Sequence, residues 1–234
     1  MFNLVGFGPD GWGPALLRAA LMTLALSTAG FLSGVALGVL AAFARLSGDR
    51  FARGAAFAYG ALFRGVPDLL TIYLLYFGGS VALTTIAGWF GARGFVGLPG
   101  FATGAVALGV ISGTYQAEVY RGAFLAIHRG ELEAARAFGM SGLTMLRRIV
   151  APQTLRYAMP GLGNVWQLVL KDSALVSVIG LVELMRQAQI GAGSTREPFI
   201  FFCAAAALYL IIAATTGALF RRVERHSHRG LRTA

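Results

Sequence analysis

Residues 15–44 read ALLRAALMTLALSTAGFLSGVALGVLAAFA, an apolar stretch interrupted by a single charge, Arg18. A helix of about 20 apolar residues crosses a bilayer, so this segment is long enough to span with tilt. It is too long for the apolar region of a signal peptide. The first 14 residues carry no Lys or Arg, so no cleavable signal is expected. Gly30, Gly34 and Gly38 recur at every fourth position. That spacing puts three glycines on one helix face, where a second helix can approach closely. The remainder has the same character. Of 234 residues 56% are hydrophobic and 13% charged, against about 45–50% and about 25% in soluble domains. A disordered chain and a nucleic-acid-binding module are excluded. The expected fold class is an all-α integral membrane protein, one domain over residues 1–234.

Four further spans are expected, at 55–78, 101–120, 152–181 and 198–220. The second is interrupted by Arg64-Gly65-Val66-Pro67-Asp68, and the fourth is expected to break at Pro160, Gly161 and Gly163. Gly79 to Pro99, rich in Gly and Thr, reads as a loop or a surface helix, and Glu183 to Glu197 as a polar segment. Orientation follows from arginine. The loop 45–53, the loop 121–148 and the tail 221–234 hold thirteen Arg, against four at Arg18, Arg93, Arg186 and Arg196. Positive residues stay inside. The N-terminus is therefore expected in the periplasm, and the 121–150 loop and the C-terminus in the cytoplasm. That demands an odd number of spans. The net charge of +10 is mostly topological.

The loop is the most informative segment. Glu133 to Pro152 reads EAARAFGMSGLTMLRRIVAP. Good helix formers run from Glu131 to Phe138, Gly139 stops them, and Ser141 caps a second short helix. Leu132, Ala134, Ala135 and Phe138 supply an apolar side, and Glu131, Glu133 and Arg136 supply charge. Such an amphipathic knob suits a groove on another protein.

Its spacing resembles the EAA loop of bacterial ABC importer permeases. Glu133, Ala134, Ala135, Gly139, Ile149 and Pro152 match that pattern, and Ala151 stands where a Leu is usual. FRGVPDLL (63–70), AEVYRGAFLAI (117–127), PGLGNVWQLVLKDSALVSVIGL (160–181) and STREPF (194–199) look like its histidine/glutamine/arginine/opine branch, above all the histidine and lysine-arginine-ornithine type and the opine permeases. The resemblance implies a type I, MetI-like permease of about five spans in the bacterial inner membrane. Two permease subunits, identical or related, form the pore. A cytoplasmic ATPase dimer docks on the coupling residues Glu133, Ala134, Ala135, Phe138 and Gly139. A periplasmic binding protein delivers a polar or cationic amino acid or an opine. ATP and Mg would be bound by the ATPase, and no cofactor by this chain.

The residues agree that this chain is not the motor. A P-loop needs Gly-Lys-Ser/Thr, and the sole lysine, Lys171, follows Leu170. His128, His226 and His228 are too scattered for a metal cluster, and the lone Cys203 excludes an internal disulfide. Five ionisable residues lie in or beside spans: Arg64, Asp68, Glu118, Lys171 and Asp172. Such charges are costly in lipid and are expected to face protein or water and to pair, as a charge network or along a substrate path. Asp68 is the first choice for a cationic group and Glu118 the second; the substrate site can equally lie in the partner subunit. The competing class is an ATP-independent channel or secondary transporter, against which the absence of an inverted repeat argues.

Overall fold

A chain in lipid must satisfy its backbone hydrogen bonds internally. Among the described residues this one does so with helices alone. The computed structural model describes residues 4–9, 11–91 and 93–227. The tail residues Arg229, Arg232 and His228 lie outside them.

The order is α1 (Gly13–Leu46), α2 (Arg50–Gly65), α3 (Asp68–Tyr73), a wide π-helical turn (Leu74–Gly78), α4 (Gly79–Trp89) and α5 (Gly100–Leu125). Then come α6 (Arg129–Ala137), α7 (Gly142–Met145), a second π turn (Leu146–Val150) and α8 (Ala151–Asp172). A 3-10 segment (Ser173–Ile179), α9 (Leu184–Thr195) and α10 (Pro198–Ser227) complete it. Three helical runs are long and apolar enough to cross a membrane: Gly13–Leu46, Asp68–Trp89 and Pro198–His226. α5 and α8 are long as well but more polar. α5 packs against α1, α2, α3 and α8, so its surface meets protein.

The glycine face of α1 forms the central seam. α1 and α5 run parallel, with Gly30, Gly34 and Gly38 against Leu108, Ser112 and Gln116. A Cβ on Gly30 would lie 2.7 Å from Leu108 Cβ, and one on Gly38 2.7 Å from Gln116 Cβ. One on Gly34 would overlap Ser112 Oγ. This contact brings polar side chains onto the facing backbone. Ser33 Oγ donates to Ala105 O at 3.2 Å and Gln116 Nε2 to Phe31 O at 3.1 Å. The main core lies beside the seam, where Leu26, Ile72, Leu108, Ile111, Val169 and Val176 join α1, α3, α5, α8 and the 3-10 segment. A second cluster, including Leu16, Leu184 and Phe201, joins α1, α9 and α10.

Several expected boundaries are corrected. The 55–78 span is two helices, because Val66 and Pro67 are extended and the ladder restarts at Asp68. The apolar run then continues to Trp89, through residues expected to form a loop or a surface helix. The hydroxyls of that stretch are satisfied within the helix: Thr84 bonds Ser80 O and Thr85 bonds Val81 O. The 152–181 span is a helix only to Asp172, and Gly180 (φ 88) ends the 3-10 segment that follows. Pro160, Gly161 and Gly163 do not interrupt α8. The glycines give room to neighbours instead: a Cβ on Gly161 would lie 2.8 Å from Val119 Cγ1. The polar segment 183–197 is largely a packed helix, α9.

Candidate coupling knob and charged path

The knob forms much as the sequence predicts. His128 Nδ1 accepts from Gly130 N and opens α6, and Ser141 caps α7 through Thr144 N. Gly139, at φ 73, supplies the left-handed residue that turns the chain between them. The second helix is not short, however. α7 passes through the π turn directly into α8. That turn sits just before Pro152, which has no N–H to give to Arg148 O, and a disturbed ladder favours a wide turn. The knob is thus joined rigidly to a helix of the body.

Glu133, Ala134 and Gly139 are exposed, and Phe138 is 86% exposed. Ala135, at 3% exposure, faces inward and packs the knob. Leu143 adds a second exposed apolar side chain beside Phe138. Gln153 Nε2 bonds Glu131 Oε2 and braces α6 against the start of α8.

Of the five intramembrane charges, Glu118 is the hub of one cluster. Arg45 and Arg64 reach its Oε1 at 3.2 Å each, and Arg121 its Oε2 at 2.9 Å. One carboxylate therefore ties α1 and α2 to α5 and leaves the cluster net positive. Arg64 and Asp68 do not pair, because the break at Pro67 separates their helices. Arg64 instead folds back, donating to Gly60 O at 3.0 Å.

Asp68 and Asp172 form a second group. Asp68 opens α3 and Asp172 closes α8, and α3 packs on the 3-10 segment that follows Asp172. Neither carboxylate has a cation within ion-pair distance among the described residues. Lys171 is exposed, and Ser173 Oγ is turned to Leu170 O at 2.7 Å. Two carboxylates without an ion pair among the described residues thus stand at the start of α3 and the end of α8, on elements that pack together, which suits a cation or an ammonium.

Sequence reasoning missed Glu183. It is fully buried and caps α9, accepting from Met185 N (2.9 Å), Arg186 N (2.8 Å), Tyr209 Oη (2.9 Å) and Thr23 Oγ1 (3.3 Å). Thr23 Oγ1 accepts in turn from Leu184 N at 3.0 Å. This carboxyl ties α1, α9 and α10. The available signal was a Glu immediately before an apolar-periodic run, a helix-start pattern hidden by the segment's polarity. Glu183→Ala leaves four donors without their acceptor, and the expected loss is about 3 kcal/mol, from a lost cap and buried unpaired groups. Glu183→Gln, which keeps one oxygen, is expected to lose less. Melting in detergent, followed by size-exclusion, checks the order wild type, Gln, Ala.

These features describe a helical membrane protein with an exposed helical knob and charged residues gathered where its helices meet. The chain belongs to the family of binding-protein-dependent transport system inner membrane components, whose model matches residues 34–229. It is 57% identical over 229 residues to an octopine transport system permease protein of Rhizobium radiobacter, covering 98% of this chain and 97% of that one. It is 36% identical over 224 residues to the histidine/lysine/arginine/ornithine transport system permease protein of Escherichia coli, covering 96% and 98%. A solved amino acid ABC transporter with histidines matches at a TM-score of 0.78 and 32% identity, over 92% of this chain and 95% of that one. The chain is the inner-membrane permease subunit of an ABC importer, and ATP hydrolysis resides in a separate subunit.

Proposed function

We propose that this permease imports opines or basic amino acids through a path that passes Asp68 and Asp172. The observation that carries the proposal is two carboxylates without an ion pair among the described residues, at the start of α3 and the end of α8, on elements that pack together. A cationic side chain or ammonium would be held there by Coulomb attraction in a cavity of low dielectric. The names of the octopine and histidine/lysine/arginine/ornithine relatives support the same substrate class. Glu118 is assigned to the charge network instead, since three guanidinium groups already occupy it.

The proposed assembly has two permease subunits, identical or related, an ATPase dimer on the knobs and a periplasmic binding protein. ATP and Mg would be held by the ATPase. Glu133, Ala134, Phe138 and Gly139 form the docking face. ATP closes the ATPase dimer, the knobs move together, and α8 transmits the motion to the pore. In this topology α1, the broken α2–α4, α5, α8 and α10 make five crossings, with the N-terminus periplasmic and the C-terminus cytoplasmic. Support comes from the clustering of basic ends. Arg45 and Arg121 share Glu118 at one end, and α10 runs the same way as α1, with Phe201 on Trp12 and Phe220 on Phe31, so its basic end points to that side.

The test is uptake of labelled arginine and octopine by the whole complex in proteoliposomes. Asp68→Asn and Asp172→Asn are each expected to raise KM about tenfold or more for a cationic substrate, the cost of removing one close charge partner. The ATPase should still co-purify. Unchanged KM in both variants would move the site to the partner subunit, and uptake that persists without ATP would support the channel reading.

A further inference from the structure

An apolar groove of about 320 Å³ opens at the knob end of α1, its lining residues Leu46 and Tyr120 adjoining Arg45 and Arg121 of the Glu118 cluster. Its walls come from α1 (Val35, Val39, Leu46), α5 (Phe124) and the helical run after the knob (Leu146, Leu155). We propose that it holds an acyl chain of an anionic phospholipid, with the headgroup at Arg147 and Arg148.

Three observations select this occupant. The first is length. Val35 to Leu46 spans eleven helical rises, about 16 Å at 1.5 Å per residue. That is about half of a bilayer's hydrocarbon core of about 30 Å, the depth of one leaflet. Leu46 is also the last residue of α1, so the groove runs to the knob-side end of that helix. The second is charge. Arg147 and Arg148 directly follow Leu146, are exposed, and have no ion pair or hydrogen bond among the described residues. Arg45, by contrast, is committed to Glu118. Cations beside an apolar slot between helices suit an anionic headgroup. The third is Thr154. It lines the groove, and its buried Oγ1 has no hydrogen-bond partner, so a turn of its side chain would let it donate to an ester oxygen of the lipid. A second helix would fill the slot with side chains but would leave the arginines unmatched unless it were acidic.

The groove is walled on one side by the π turn that links knob to α8. A lipid seated there bridges the coupling element and the α1–α5 seam. The proposal concerns the leaflet on the knob's side and does not depend on which face of the membrane that is.

A photoreactive benzoylphenylalanine at Val39 tests it in the assembled complex, in nanodiscs with equal phosphatidylglycerol and phosphatidylcholine. Leu40, exposed on another face of α1, is the control position. Irradiation is expected to give phospholipid adducts at both. At Val39 the ratio of phosphatidylglycerol to phosphatidylcholine should exceed that at Leu40 by about tenfold, as expected for one to two arginines near a headgroup. Arg147→Gln with Arg148→Gln should bring the two ratios together. The same probe at Leu155 repeats the measurement should the Val39 substitution unfold the chain. Equal ratios at groove and control positions overturn the headgroup assignment. Adducts to the second permease subunit or to the chain's own tail overturn the lipid.

Discussion

Glu133→Arg is expected to abolish uptake while the subunit remains in the membrane at its normal level. The structure explains why fold and function should separate. Glu133 is exposed in the middle of α6 and makes no hydrogen bond or ion pair among the described residues. Arginine forms helix as readily as glutamate, so the substitution costs α6 little. Only a partner surface can then register the reversed charge. A like-charge contact at a docked interface costs several kcal/mol, and truncating a buried charge pair costs about 2–5 kcal/mol. Either is enough to lower occupancy by about a hundredfold. A detergent pull-down from the native host should lose the ATPase while keeping the second permease subunit. Uptake at the wild-type rate would overturn the coupling assignment. Loss of both partners would mark a folding defect instead.

Gly34→Leu should destroy the folded subunit. A Cβ at this position overlaps Ser112 Oγ and lies 2.7 Å from Gln116 Nε2 and 3.3 Å from Gly109 O. The last of these is backbone of α5 and has no rotamer to change. Accommodation requires α1 and α5 to separate, and with them the bonds from Ser33 to Ala105 O and from Gln116 to Phe31 O. Overpacking costs about 1–3 kcal/mol and each lost buried bond about 1 kcal/mol more. The sum is comparable to the whole stability of many domains. Gly34→Ala should be milder but still destabilising. Gly54, exposed on α2 with nothing near its Cβ position, is the control, and Gly54→Ala should be neutral or slightly stabilising. Monodisperse yield after extraction measures all three. A Gly34→Leu variant that purifies like wild type would show that the seam opens freely.

That seam was legible in the sequence because its signal is local. Gly30, Gly34 and Gly38 share a face whatever lies opposite. The knob was legible for the same reason, since Gly139 and Ser141 act on their own backbone. What lay opposite was not legible. Nothing local says that Gln116 faces Phe31 O, or that Glu118 would gather three arginines from three helices. Arg64 and Asp68, four apart, would share a face only of an unbroken helix, and Pro67 breaks it. Glu183 shows the limit most sharply. Hydropathy reads a carboxylate among polar residues as surface, whereas Thr23 and Tyr209, 160 and 26 positions away, make its burial tolerable. The burial of Ala135 was not legible, because an amphipathic pattern shows that a helix has two faces, not which one the body covers.

Cys203, the chain's single cysteine, is exposed on α10. Each copy therefore accepts one thiol-reactive spin label without any engineered substitution. In a pore built from two copies, paired labels would give a single inter-spin distance that Cys203→Ala removes. In a pore with a different second subunit, labelled only on this chain, the dipolar signal would be absent. A native side chain thus offers a ruler for the stoichiometry of the assembly and for how far its two halves travel in each transport cycle.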